Sequence, residues 1–334
     1  MGVPDGRSSL DHFCRPLMQL LSDVSVTELC IQSPGEVLVE RASGWTRTPA
    51  PWASLPWAVH FARLLAASSA QRVSPEAPLL SAALPTGERV QVVLPPATAQ
   101  GRVAIAIRRP SRDPWSLDDL QRSGLFNDCV PVSSHSPDAH RALHDAYAAG
   151  NWRAFLSAAV LARLNIVVAG ATGAGKTTLT KALIDEIPDD TRLISIEDTP
   201  ELHFHRHRNV VNLYYSKDNQ GRARVTPKQL LEASLRLRPD RILLSEVRGE
   251  EAYYYLRNVG SGHPGSITSV HAGSSALAFE QMALLVKESG PGRDMPLADI
   301  HRMLYAIIDV VVHCDRVGGG RRVTELWWRG AGRS

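Results

Sequence analysis

The stretch that decides the fold is Asn165–Glu186, NIVVAGATGAGKTTLTKALIDE. Its opening is a short apolar run of the kind that fills a buried strand. Gly170-Ala171-Thr172-Gly173-Ala174-Gly175-Lys176-Thr177 then matches G-x4-G-K-[ST], and an amphipathic helix follows from Lys176. Glycines in such a turn let backbone N–H groups face phosphate oxygens, and the start of the helix adds partial positive charge. Lys176 reaches the β- and γ-phosphates, Thr177 offers its hydroxyl to Mg²⁺, and Thr178 completes the cradle. The loop binds a nucleoside triphosphate. It does not say whether the phosphoryl group goes to a small molecule or to water in a motor.

Downstream, apolar strands alternate with helices, which predicts a parallel sheet covered on both faces. Strands are expected at Asn165–Ala169, Arg192–Ile196, Arg241–Ser245 and Gly265–Val270, and helices at Lys176–Ile187, Pro227–Arg238, Glu250–Val259 and Ser275–Ser289. Thr226 before Pro227 is a helix start: a capping hydroxyl, then a proline at the first helical position. DVVVHCDRV and RRVTELWW form two closing strands around Gly318-Gly319-Gly320, and RGAGRS is expected to fray.

Upstream, the first 110 or so residues read as short strands around one helix. Val26–Gln32 and Glu36–Arg41 are joined by Ser33-Pro34-Gly35, Ser54 caps a helix running to Ala70, and a hairpin turns at Pro85-Thr86-Gly87. Gly101–Pro110 alternates as a further strand. The expected organisation is an antiparallel α+β unit over 1–112, a Pro/Ser/Asp-rich linker over 113–150 ending in a helix near Ala139–Ala149, and an α/β phosphate-binding unit over 151–334. No internal repeat is present.

Composition narrows the classes. With 44% hydrophobic and 21% charged residues, the 334-residue chain has an ordinary globular balance. A net charge of +3 does not call for nucleic acid or an acidic membrane. No signal peptide, myristoylation signal or run of about 20 apolar residues is read. Cys14, Cys30, Cys129 and Cys314 form no CxxC pair, so free thiols in a reducing cytoplasm are expected.

Hydrolysis needs carboxylates beside the phosphates. DRILLSEVRGEEA gives a buried strand ending at Glu246, whose tip faces the same crevice as the phosphate loop in an α/β sheet. Glu246 there polarises an attacking water, or is merely a solvated strand-end glutamate. LISIEDTPEL delivers a second acidic strand end, Glu197 and Asp198.

Taken together, GATGAGKTT, ISIEDTPEL, LRLRPDRILLSEVRGEEA and SGHPGSITSVHAGSS resemble, in order and separation, the Walker A loop, acidic box, Walker B segment and histidine box of the secretion and traffic ATPases. VTELCIQSPGEVLVE and GERVQVVLPPATAQGRVAIAIRRPS are similar to the branch serving type IV secretion and conjugative DNA transfer. The resemblance spans nearly the whole chain except Ser111–Asn151. It implies a RecA-like ATPase unit roofed by the N-terminal one, with ATP and Mg²⁺ as ligands. It implies Glu246 as the catalytic glutamate, Glu197 and Asp198 near metal and water, and His263 and His271 as the histidine pair, with His271 sensing the γ-phosphate. Arg89 and Arg108 match the arginines that the roofing unit donates, and Arg248 is a further phosphate-side group. Two features depart from the family: Ser245 replaces the usual Gly before the Walker B glutamate, and the linker is long. Relatives with long linkers swap which subunit's N-terminal unit caps which site.

The resemblance also implies a homo-hexamer at the cytoplasmic face of the inner membrane, peripheral to it, working beside other subunits and other ATPases of the machine. Contact with DNA is compatible with that role but not called for by charge. A type II secretion or type IV pilus motor is the nearest alternative, although zinc-bearing relatives of that kind have four cysteines grouped as these are not. A helicase would show a basic stripe interleaved with aromatics, and none is read. No lid or acceptor pocket points to a small-molecule kinase, and no N-K-x-D motif points to a GTPase. His203, His205 and His207, at period two in LHFHRHR, are a polar edge or loop, or else an imidazole face for Zn²⁺ or Ni²⁺ with no obvious completing ligand.

Overall fold

Residues 6–110, 116–129, 141–216 and 221–332 are described by a computed structural model of the chain. In the N-terminal part these form α1 (Gly6–Phe13), α2 (Arg15–Leu21), β1 (Glu28–Ile31), β2 (Glu36–Arg41), β3 (Gly44–Pro49), α3 (Leu55–Ser68), β4 (Leu79–Ala83), β5 (Arg89–Val93) and β6 (Ala104–Arg108). The strands make one antiparallel sheet in the order β3-β2-β1-β6-β5-β4. Strand alternation splits its side chains between two cores. Leu29, Ile31, Val37, Val39, Ile105 and Ile107 face the three helices. Cys30, Leu38, Ala104 and Ala106 face the C-terminal half, where small side chains let that half approach closely.

Three helices replace the single one expected here. Leu10, Cys14, Leu17 and Leu21 are buried at helical spacing, a signal interrupted in the sequence by Pro16. Ser54 does cap α3, accepting from the Trp57 N–H at 3.2 Å. β3 was not expected because its sequence, GWTRTP, is a half-exposed edge without an apolar alternation.

After α4 (Leu117–Arg122) come α5 (Arg141–Ala148) and α6 (Trp152–Leu161). The helix expected over 139–149 is α5; residues 139–140 and much of the linker lie outside the described residues. The C-terminal half then runs β7 (Ile166–Gly170), α7 (Lys176–Asp185), β8 (Leu193–Glu197), β9 (Val210–Tyr214), α8 (Pro227–Ser234), β10 (Arg241–Leu244), α9 (Glu251–Gly260), β11 (Ile267–Val270), α10 (Ser275–Glu288), α11 (Leu297–Ile307), β12 (Val310–Val317) and β13 (Gly320–Trp328). The ladders are β10-β8-β9 and β11-β7-β12-β13, parallel except for β12 with β13. They meet between β10 and β11, where the Val247 N–H donates to Ser269 O at 2.8 Å and Ser266 Oγ to Ile242 O at 2.6 Å. One twisted α/β sheet results, as expected, and the phosphate loop opens at the carboxyl end of β7. α6, β9 and α11 are additions to the expected elements. Arg329–Gly332 is not frayed: it forms a 3₁₀ turn whose Arg329 N–H donates to Asp309 O at 2.9 Å.

The N-terminal sheet packs on β9 and on the amino ends of β8 and β10. Arg192, one residue before β8, is fully buried there. Its Nη1 donates to Gln32 Oε1 at 2.7 Å and to Asn209 Oδ1 at 2.5 Å, and its Nε donates to Leu237 O at 2.8 Å. The guanidinium also lies 5.5 Å from the Trp45 ring. Thr98 Oγ1 to Asn212 O at 2.8 Å and the Tyr214 N–H to Ala97 O at 2.9 Å extend the seam. Removing a buried guanidinium orphans its acceptors. Arg192→Ala is therefore expected to lower unfolding free energy by about 3 kcal/mol, read as a lower urea midpoint; an unchanged midpoint contradicts this account of the seam.

Candidate active site

Two glycines fix the loop. Gly170 has φ +153°, and a Cβ there would sit 2.3 Å from the Cys314 carbonyl oxygen of the neighbouring strand β12. Gly175 has φ +102° and lies against the Arg321 side chain. Any other residue at Gly170 forces β12 away from β7, so the loop's first glycine is required by packing as well as by backbone conformation.

Lys176, the first residue of α7, is 7% exposed. Its Nζ donates to Gly170 O at 2.9 Å and Ala171 O at 3.2 Å, and lies 3.2 Å from His271 Nδ1. Burial pulls its pKa below the ordinary lysine value, and the Glu246 carboxylate acts the other way. With Nδ1 accepting from the ammonium, His271 carries its proton on Nε2. That atom lies 2.7 Å from Glu246 Oε1. The other Glu246 oxygen is clasped by Arg248 Nη2, and Arg248 Nη1 reaches Asp198 Oδ2 at 3.2 Å. The bond to Glu246 is the main reason the Arg248 pKa is raised. Lys176, His271, Glu246, Arg248 and Asp198 thus form one polar chain across the carboxyl ends of β7, β11, β10 and β8. Ser245 fits beside it without displacing Glu246, its carbonyl accepting from Ser269 Oγ at 2.9 Å.

Glu197 is not brought to the cradle. Its side chain is wholly buried, Oε1 accepts from Ser195 Oγ at 2.7 Å, and Oε2 accepts the N–H groups of Glu201 and Leu202, each at 2.8 Å. Burial raises its pKa, and these bonds oppose that rise. The carboxylate that reaches the loop is Glu201, whose Oε2 accepts from Thr177 Oγ1 at 3.3 Å. Glu197 folds the turn and Glu201 ends it; the sequence showed three acids in EDTPE but not which way each turns.

Three other expected residues lie elsewhere. Arg89 and Arg108 are directly opposed on β5 and β6, and Glu28 is opposite Arg108 on β1. Burial raises the Glu28 pKa to about 7 against the pull of Arg108. This row lines a cavity of about 570 Å³ together with Arg163, Arg236 and His263, at the amino ends of β7, β10 and β11. Strands of four or five residues put it on the order of 15 Å from the cradle. His203 and His205 lie on a loop with rings 6.5 Å apart, while His207 turns inward, Nε2 on Ile187 O at 2.9 Å.

The cradle fits a triphosphate: an ammonium and an exposed hydroxyl border it, and nothing obstructs the Gly173 turn. Residues 143–320 match the family model described as Type II/IV secretion system protein. The chain belongs to the Type II/IV secretion system protein family, and it is an ATPase. It is 46% identical over 324 residues to the type IV secretion system protein VirB11 of Bartonella henselae, covering 94% of this chain and 91% of that one. It is 38% identical over 332 residues to PtlH of Bordetella pertussis, covering 98% and 97%. Its structure is similar to that of the VirB11 ATPase of the Brucella suis type IV secretion system, solved in complex with sulphate: TM-score 0.91, 42% identity, covering 97% of this chain and 95% of that one. Among the described residues, no helix is long and apolar enough to cross a membrane.

Glu201 and Glu197 separate by their variants. Glu201→Ala is expected to cut Mg²⁺-dependent ATP turnover by about tenfold or more at unchanged melting temperature. Glu197→Ala, which leaves two buried N–H groups unpaired, lowers the melting temperature itself. The reverse pattern contradicts the assignment.

Proposed function

We propose that this family member is a hexameric motor that spends ATP on type IV secretion from the cytoplasmic face of the inner membrane, peripheral to it. The observation that supports this best is the clasped carboxylate: Glu246 sits between His271 and Arg248, and His271 is tied in turn to the phosphate-loop lysine. A γ-phosphate competes for Lys176 and Arg248, which alters the clasp and frees Glu246 to polarise a water. His271 reports the change because both of its ring nitrogens are in the chain. Thr177, with Glu201 and Asp198 near it, would hold Mg²⁺, which neutralises charge on the phosphate oxygens.

Arg89 and Arg108 supply transition-state charge in this reading, in trans. Within one copy they stand at the opposite end of the sheet from the cradle. Head-to-tail association brings one copy's arginine row to the next copy's phosphates, and such a heterologous contact closes into a ring when the rotation closes. The long linker over 113–150, joining units 1–112 and 151–334, suits this arrangement. His263 lies on the same trans face.

Subunit sharing has its own test. Glu246→Gln and Arg108→Ala are each expected to lose turnover by about 100-fold while still binding ATP. Mixed in equal amounts before assembly, they restore about a quarter of native turnover, because one site in four pairs an intact cradle with an intact arginine. No restoration means that cradle and arginine belong to the same copy.

A further inference from the structure

Function leaves the histidine loop unused, and the structure sets it in a groove. The groove, about 620 Å³, runs along the seam between Arg47 and Arg102 of the N-terminal sheet and the loop carrying His203, His205 and Arg208. No Asp or Glu lines it, whereas acids line the cavity holding Arg89 and the one beside Trp45. Arg47 is paired with Glu36 at 2.5 Å. Arg102 and Arg208 are exposed and have no carboxylate partner among the described residues. Unpaired cations lining one groove repel each other unless an anion joins them.

His207 is a second, independent indication. It lines the groove, is 5% exposed, and its Nδ1 has no hydrogen-bond partner. Nε2 is already committed to the Ile187 carbonyl. A buried ring nitrogen without a partner costs free energy unless something from outside the described residues meets it. With Nε2 donating to Ile187, Nδ1 is left to accept from a ligand hydroxyl.

We propose that this groove is a second phosphate-binding site, distinct from the nucleotide cradle, taking a phosphate-bearing ligand between Arg102 and Arg208 with His207 at its floor. The site adjoins the catalytic turn. Glu201 touches Thr177, Leu202 lines the groove, and Glu197 holds the N–H groups of both residues. A ligand there pins the segment that carries Glu201.

The cradle must be disabled to see the site, so the test uses full-length Lys176→Ala chain with pyrophosphate as probe. Equilibrium dialysis is expected to show pyrophosphate binding that weakens at least about tenfold when Arg102→Ala and Arg208→Ala are added. In the Lys176→Ala chain itself, pyrophosphate is expected to slow amide exchange over residues 202–210. Unchanged affinity in the arginine variant, or no slowing over 202–210, overturns the proposal. So does loss of binding in Lys176→Ala with Arg89→Ala and Arg236→Ala, which places the anion in the other cavity. Vesicles of neutral lipid with and without phosphatidylglycerol then separate the sources. Sedimentation that depends on Arg102 and Arg208 assigns the phosphate to a lipid headgroup, and pyrophosphate binding without it assigns a soluble ligand.

Discussion

A buried ammonium cannot stand without acceptors, and the site is organised around that constraint. Lys176 meets it with two carbonyls of its own loop and one nitrogen of His271. The other ring nitrogen of the histidine, Nε2, lies 2.7 Å from Glu246 Oε1. The carboxylate is balanced on its other side by Arg248. A triphosphate offers Lys176 stronger acceptors than carbonyls, and in the proposed mechanism its binding reaches Glu246 through Lys176 and His271.

Strand direction sets the other half. Parallel strands put every acid-bearing carboxyl end on one side of the sheet and every amino end on the other. The N-terminal sheet docks on β9 and the amino ends, held by the buried Arg192. Its arginines therefore cannot reach the cradle of the same copy. Each copy carries the phosphate cradle at one end of the sheet and the Arg89–Arg108 row at the other. The proposed association of copies would bring the two halves together.

Much of this was legible in the sequence. The glycine loop, the strand ending at Glu246 and the helix start at Thr226 are local signals, and each gives a local structure that the fold keeps: Thr226 accepts from the Gln229 N–H at 3.2 Å, within a capping box. Lys176 and Glu246 were placed together because they follow strands of one parallel sheet, whereas His271 was placed by the family resemblance alone. Glu197 and Glu201 were not distinguishable, since which acid a turn buries depends on N–H groups that only the folded turn aims. β3 escaped as a half-exposed edge strand without apolar alternation, whereas β9, VVNLY, is apolar and largely buried and carried a legible strand signal. The position of Arg89 and Arg108 relative to the cradle is a matter of docking, which no spacing in one chain encodes. The basic groove, likewise, joins Arg102 to Arg208 across more than a hundred residues.

The most direct measurement is a structure of the assembled chain with Mg²⁺ and a non-hydrolysable ATP analogue. The account predicts Lys176 Nζ on the β- and γ-phosphates, Glu246 within one water of the γ-phosphorus, and Arg89 or Arg108 of a neighbouring copy on the γ-oxygens. A terminal phosphate remote from Glu246, or one that no arginine of any copy's N-terminal sheet approaches, would contradict it.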